Sequence, residues 1–348
     1  MDQLSALIGM SGGVDSSVAA WLVQQMGIRC VGGTMLLHDS AAGTEDAANV
    51  ARKMGIPFYI FDHCGTFRSQ VMDDFVSCYE KGLTPNPCIR CNKTLKFGTF
   101  LEQALAMGCH YVVTGHYAQI EKEETTGRYL MKKAADLPKD QTYFLYCLDQ
   151  HQLSHTLFPL GGLTKEQARA IALEQGFITA HKKDSQDICF IPDGDYPAFL
   201  QRYTGKNYPC GDFLDQNGHV VGRHNGAVSY TIGQRKGLGL AMGQPVYVCG
   251  KDMQANTVTV GSNEDLMRTT LMADDWNFIP FDTLTQPLRC KAKARSRMVE
   301  QPCTVYPEDN GICRVVFDEP QRALTPGQAV VLYDGDLVLG GGTIREVL

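Results

Sequence analysis

The sequence predicts an α/β chain in which a doubly wound parallel sheet is followed by a small central domain and a C-terminal β-barrel. Three observations carry that expectation. Through the first half, apolar runs of strand length alternate with stretches of helical periodicity, as in a parallel sheet covered on both faces. From about residue 205, glycine and proline punctuate short strand-like runs, and after Asp265 nearly everything reads as strand and turn. At 348 residues the chain also exceeds one ordinary hydrophobic core. The expected divisions are 1–190, 191–264 and 265–348.

The elements follow in order. Leu4–Met10 is apolar enough for a buried strand, and Val14, Val18 and Leu22 give Val14–Gln25 a helical stripe. Cys30–Leu36 is the next strand. Thr44 is placed to cap a helix that runs to Met54 and stops at Gly55-Ile56-Pro57. Phe58–Asp62 is a third strand, Gly65–Lys81 and Asn92–Met107 are helices, and Tyr111–Thr114 is a strand running into Gly115-His116. Ala118–Ile120 and Tyr129–Met131 flank Thr125-Thr126-Gly127 as a hairpin. Thr164 and Gln167 form a capping box for a helix ending at Gly176. Beyond the first domain, Ala227–Ile232, Val246–Val248, Thr257–Val260, Arg314–Phe317, Ala329–Tyr333 and Leu337–Leu339 read as strands.

Bulk properties narrow the class. No run of 18 apolar residues and no basic start with an apolar signal core is present, so the chain is expected to be cytoplasmic, with no membrane partner. Thirteen cysteines without an export signal argue for reduced thiols. A net charge of −6 speaks against a basic coat, so any contact with nucleic acid has to be local. One such footprint is legible: Lys291, Lys293, Arg295 and Arg297 alternate, and on a strand all four would project from one face.

Two motifs carry chemistry. Gly9-Met10-Ser11-Gly12-Gly13-Val14-Asp15-Ser16-Ser17 joins the first strand to the first helix. Its glycines let backbone N–H groups turn toward one point, where the helix N-terminus adds partial positive charge: a phosphate cradle. No Gly-Lys-Ser/Thr follows, so it is not a Walker loop. The second motif, Thr84-Pro85-Asn86-Pro87-Cys88-Ile89-Arg90-Cys91-Asn92-Lys93, sets a Cys-x-x-Cys in a proline-rigid loop running into a helix. A thiol near a helix N-terminus with Arg90 and Lys93 beside it should have a lowered pKa. Cys189 lies at the first domain boundary, whereas Cys30, Cys109 and Cys147 read as small core side chains. A structural zinc would want a matching second pair, and none exists. Two readings stay open: a nucleophile with a persulfide carrier, or a three-cysteine iron–sulfur site.

The nucleotide loop resembles the PP-loop of ATP pyrophosphatases. Taken with Thr114-Gly115-His116-Tyr117, Lys139-Asp140-Gln141, Asp184-Ser185-x-x-Ile188-Cys189-Phe190 and Tyr230–Arg235, the chain resembles the bacterial tRNA-specific 2-thiouridylases from residue 4 to about 345. The resemblance implies an adenine nucleotide α-hydrolase-like first domain and a reaction on tRNA. ATP would adenylate the 2-oxygen of the wobble uridine in tRNAs for Lys, Glu and Gln, and sulfur would replace it. It implies ATP at Gly9, Met10, Ser11, Gly12, Gly13, Val14, Asp15 and Ser16, with Met35 and Gly115 lining the nucleotide. Mg²⁺ would sit near Asp15. Cys91 would be the nucleophile and Cys189 the persulfide carrier, joined in a transient disulfide. Asn86, Pro87 and Cys88 would meet the target base, and His116, Lys139, Asp140, Gln141, Arg295, Ser296 and Gln328 the tRNA. A cysteine desulfurase or a sulfur-relay protein would supply the sulfur.

Two positions depart from the family pattern. Cys88 stands where many members carry aspartate, which removes a carboxylate and completes Cys88, Cys91 and Cys189 as a trio able to hold a [4Fe–4S] cluster. Ser296 replaces a tyrosine, which removes a stacking surface. The rival readings are another PP-loop enzyme adenylating a small molecule, and an RNA-binding redox sensor that would bind tRNA without releasing AMP.

Overall fold

The computed structural model describes residues 3–38, 43–182 and 188–348. Its first layer is a parallel sheet of β1 (Ser5–Gly9), β2 (Arg29–Leu36), β3 (Phe58–Asp62), β4 (Tyr111–Val113) and β7 (Thr156–Leu157), in the order β3-β2-β1-β4-β7. The centre strand β1 is buried on both faces, which is why Ala6, Leu7 and Ile8 are apolar without alternation. Helices α1 (Val14–Gln25) and α2 (Thr44–Met54) pack Val18, Val23 and Val50 into the core on one side. Thr44 is the first helical residue and not the cap; Gly43 precedes it in a left-handed conformation.

Two long helical runs follow; the second packs Phe97, Phe100 and Leu101 with Leu7 and Val112 on the other face of the sheet, and the first packs Phe75, Val76 and Tyr79 against Ile191, Phe199 and Val228. Cys64–Phe67 (α3), a π-helical turn at Arg68–Met72 and Asp73–Glu80 (α4) form the first. The second begins at Pro87, five residues before the expected start, as α5 (Pro87–Cys91). It continues through a π-helical stretch at Asn92–Thr99 into α6 (Phe100–Ala106). Pro87 suits the first helical position because no N–H is needed there, and Asn86 caps the turn by accepting from Cys88 N at 3.2 Å. The hairpin appears as β5 (Gln119–Lys122) and β6 (Tyr129–Lys132). Short helices α7 (Thr142–Leu145) and α8 (Gln150–Ser154) follow, then α9 (Lys165–Glu174) behind the expected Thr164–Gln167 capping box.

After α10 (Tyr196–Thr204), a four-stranded sheet orders as β10-β11-β8-β9, built from β8 (Gly211–Leu214), β9 (Val220–His224), β10 (Tyr247–Asp252) and β11 (Thr257–Gly261). Ala227–Ile232, expected as a strand, instead opens with a 3₁₀ turn at Ala227–Ser229, entered through Gly226 at φ 93°. The barrel comprises β12 (Met267–Phe278), β13 (Leu288–Lys293), β14 (Gln301–Pro307), β15 (Cys313–Arg322), β16 (Ala329–Asp334) and β17 (Leu337–Val347). Pairing of β12 with β17 closes it. The hairpin does not extend the parallel sheet: β6 pairs with β17 through Met131 opposite Val338, so a segment from the first half of the chain belongs to the barrel's sheet. Among the described residues no helix is long and apolar enough to cross a membrane.

Candidate active site

The loop after β1 is shaped by close backbone approach. Gly12 has φ +69°, and a Cβ there would lie 2.1 Å from the Gly43 carbonyl oxygen, so only glycine fits. Gly115, at the end of β4, packs so tightly on the first turn of α1 that a Cβ would lie 2.7 Å from Ser16 N. Ser11 N donates to Ser16 Oγ at 3.2 Å, and Ser17 Oγ donates to the Gly13 carbonyl at 2.8 Å. Thr34 Oγ1 holds the Met10 carbonyl at 2.5 Å. Gly9 ends β1, Gly13 is the extended N-cap of α1, Val14 is turned into the core, and Met35 lies in β2 opposite Phe61. The first turn of α1 leaves backbone N–H groups without helical partners, the kind of donor that suits a phosphate.

Asp15 is not an open metal ligand. Lys165 Nζ lies 2.8 Å from both of its carboxylate oxygens, and Tyr117 Oη donates to Oδ1 at 2.9 Å. Tyr117 is held in turn by Gln141, whose Oε1 accepts from Tyr117 N and whose N donates to Tyr117 O, both at 2.9 Å. Neighbouring Asp140 accepts from Ala134 N and Thr142 Oγ1, and burial pushes its carboxyl above the usual value. Lys139 closes the short 3₁₀ turn Leu137–Lys139 before this pair. Sequence reading missed Lys165. Its place at the first position of a capping-box helix gave no signal, because only the fold brings α9 beside α1.

Three of the thirteen thiols form the second centre. Cys91 is buried against Phe67, Val71 and Leu95, while Cys88 and Cys189 reach the surface. Phe190, next to Cys189, packs on the Phe67–Cys91 cluster with its ring 5.6 Å from Phe67, so residues 98 positions apart in sequence (91 and 189) lie in one region. The expected lowering of these pKa values is not found. Burial pushes all three thiols up, Cys189 to about 11, because desolvation of an ion outweighs the helix terminus and the nearby cations. Arg90 and Lys93 look elsewhere: Arg90 Nε donates to the Gln70 carbonyl, and Lys93 pairs with Asp275 at 3.3 Å. The cation whose charge opposes this rise at all three thiols is Lys96. Cys30, Cys109 and Cys147 are buried core residues, as expected. Lys183, Asp184, Ser185, Gln186 and Asp187, which precede Ile188 and Cys189, lie outside the described residues.

The barrel braces the cysteine loop. Gln328 Nε2 donates to the Thr84 carbonyl at 2.8 Å, and Thr84 N donates to the Pro326 carbonyl at 2.9 Å. Gln328, expected to contact tRNA, thus fixes the lead-in to Asn86, Pro87 and Cys88. The four alternating cations are not one face, because β13 ends at Lys293. Lys291 and Arg297 are exposed. Lys293 lies over the Tyr333 ring near Glu300, beside the Lys133–Glu300 pair at 2.7 Å. Arg295 donates to the Ile232 carbonyl at 3.0 Å and to Thr325 Oγ1 at 2.5 Å, which ties the central domain to the barrel. Ser296 is half-buried beside it. His116 is enclosed by Phe97 and Phe158, its Nδ1 2.7 Å from Thr114 Oγ1 and its Nε2 3.5 Å from Lys96 Nζ.

Comparison with known proteins identifies the family. Residues 5–193 match the family described as the tRNA methyl transferase HUP domain. Residues 197–262 match the tRNA methyl transferase PRC-barrel domain, and 268–344 the aminomethyltransferase beta-barrel domain. The chain is 48% identical to the tRNA-specific 2-thiouridylase MnmA of Clostridioides difficile (strain 630), covering 98% of each chain. It is 46% identical to the protein of that name from Acetivibrio thermocellus, covering 99% of this chain and 100% of that one. A solved structure, the U34-tRNA thiolase NcsA from Methanococcus maripaludis with its [4Fe-4S] cluster, overlaps 58% of this chain and 67% of its own. Its TM-score is 0.37 at 15% identity.

Proposed function

Because this chain belongs to the family of tRNA-specific 2-thiouridylases, its reaction is the ATP-dependent formation of 2-thiouridine in tRNA, and we propose that Cys189 carries the sulfur and Cys91 resolves it. The observation that carries this reading is the packing of Phe190, next to Cys189, on the cluster that holds Phe67 and Cys91, beside a braced loop. The division into 1–190, 191–264 and 265–348 belongs to the same reading.

ATP lies with its phosphates over Gly9–Ser16 and its nucleoside against Met35 and Gly115. The wobble uridine of tRNAs for Lys, Glu and Gln leaves its stack to meet Asn86, Pro87 and Cys88. Its 2-oxygen attacks the α-phosphate, and pyrophosphate leaves. The terminal sulfur of a Cys189 persulfide attacks C2, and AMP departs with the oxygen. The Cys91 thiolate then attacks Cys189 Sγ. The S–S bond to the base breaks, its electron pair staying on the base as the thiocarbonyl sulfur, and a Cys91–Cys189 disulfide forms. A small-molecule thiol reduces that disulfide afterwards.

Asp15, the only carboxylate in the loop, is held by Lys165 and Tyr117, so magnesium would be carried by the nucleotide's phosphate oxygens and not by this side chain. A [4Fe–4S] cluster does not fit the trio as placed: among the described residues no three His, Cys, Asp or Glu side chains converge in a metal-holding group. No step is routed through one. A cysteine desulfurase or relay protein supplies the persulfide, and a reducing cytoplasmic setting suits the free thiols.

The test is thiolation of a tRNA transcript with ATP and a desulfurase, read in a mercury-containing gel alongside AMP release. Cys189→Ala should abolish product while ATP-dependent adenylation persists. Normal thiolation by that variant would remove Cys189 from the mechanism.

A further inference from the structure

We propose that Lys96 is the counter-cation of the reacting sulfurs, and that His116 positions it. The inference rests on the assignment of Cys91 and Cys189 above and adds a residue to that site. It starts from the local backbone. Cys91 and Lys96 are five residues apart, which on a regular α-helix would turn them to different faces. The run is π-helical from Asn92 to Thr99, and its wider turns, closed by i→i+5 bonds, bring Lys96 back toward Cys91.

His116 then fixes the ammonium. Its ring is enclosed by Phe97 and Phe158, with centroids 5.8 and 5.9 Å away, and burial together with Lys96 holds it well below the ordinary histidine value. The ring is therefore neutral near pH 7. Neutral imidazole has one donor and one acceptor. Nδ1–H donates to Thr114 Oγ1 at 2.7 Å, which leaves the Nε2 lone pair to accept from Lys96 Nζ at 3.5 Å. A charged histidine would repel the lysine, so burial of this ring is what makes it a support.

The sulfurs need such a cation. Burial raises Cys88, Cys91 and Cys189, Cys88 adds to the rise of Cys91, and both add to that of Cys189; Lys96 opposes the rise in each case. The other charged groups nearby are spent. Lys93 pairs with Asp275, the two together facing Cys147, and Arg90 is held at Gln70. Among the described residues no carboxylate forms an ion pair with Lys96. Its charge is left to stabilise a single negative charge on sulfur, whether the Cys91 thiolate or the terminal atom of a Cys189 persulfide.

The experiment is iodoacetamide labelling of the full-length protein from pH 6.5 to 10, with Cys91 and Cys189 resolved by peptide mass, for wild type, Lys96→Met and Lys96→Arg. Lys96→Met should move both profiles up by about one pH unit, roughly tenfold slower labelling at pH 7.5, and Lys96→Arg should restore them. Melting temperatures verify folding, with Lys96→Gln replacing methionine if that variant fails to fold. Unchanged profiles in Lys96→Met, or equal loss in Lys96→Arg, would overturn the proposal. Normal thiolation by Cys189→Ala together with shifted labelling in Lys96→Met would instead overturn the sulfur-carrier assignment and leave the Lys96 electrostatics standing.

Discussion

Lys165, at the start of α9, reaches across to α1 and sets its ammonium 2.8 Å from both carboxylate oxygens of Asp15. Through Tyr117 and Gln141 the same carboxylate connects the nucleotide loop to the 139–141 stretch. A charge placed here both fills the loop's acidic position and ties two surfaces of the site together.

Lys165→Met should leave Asp15 a half-buried charge with one hydroxyl partner. The expected cost is about 2 kcal/mol, below the figure for fully buried pairs because Asp15 retains some solvent. ATP should then protect the variant less against thermal unfolding. Melting curves with and without ATP check both effects.

Gly12→Ala meets two penalties at once. The left-handed backbone costs an L-residue about 1–2 kcal/mol, and the new methyl collides with the Gly43 carbonyl. ATP binding should be lost while the barrel remains folded, as measured by nucleotide titration and circular dichroism.

Alkali should destabilise the fold. Burial pushes Cys30 and Cys189 to about 11, and Cys249 and Cys313 likewise, above the ~8.5 of an unfolded thiol. The folded state therefore keeps protons that the unfolded state releases, so this stabilisation is complete below about pH 8.5 and is lost as pH rises toward 11. Urea midpoints at pH 8, 9.5 and 10.5 should fall in that order.

The exposed cations should carry the phosphate contacts that the half-buried ones do not. Lys291→Ala and Arg297→Ala should each weaken tRNA binding and lower its salt slope by about one. Lys293→Ala should act on stability instead, by stripping a cation from Tyr333 and Glu300. Filter binding across a salt series separates the two behaviours.

Much of the site was legible because it is local. The glycine loop and the Thr164–Gln167 capping box are set by neighbouring residues, and apolar periodicity alone marked α1 and β3 at their observed bounds, whereas the helix expected from Asn92 starts at Pro87. Misreadings arose where distant partners intervened. Alternation along 291–297 signals a face only while the strand lasts, and β13 stops at Lys293. The Cys-x-x-Cys was read from nearby charges, but a thiol's ionisation depends on how much water the fold removes.

By itself, the sequence determined the layer order, the glycine turn after β1 and the turn that carries the Cys-x-x-Cys pair, because strand and helix periods and turn chemistry act over a few residues. Only the tertiary structure decided that β5–β6 joins the barrel, that Lys165 holds Asp15, that Gln328 braces the cysteine loop and that Lys96 meets His116. These are contacts between segments distant in sequence or on an irregular helix, and their energies depend on burial and approach, quantities that exist only once the chain has closed on itself.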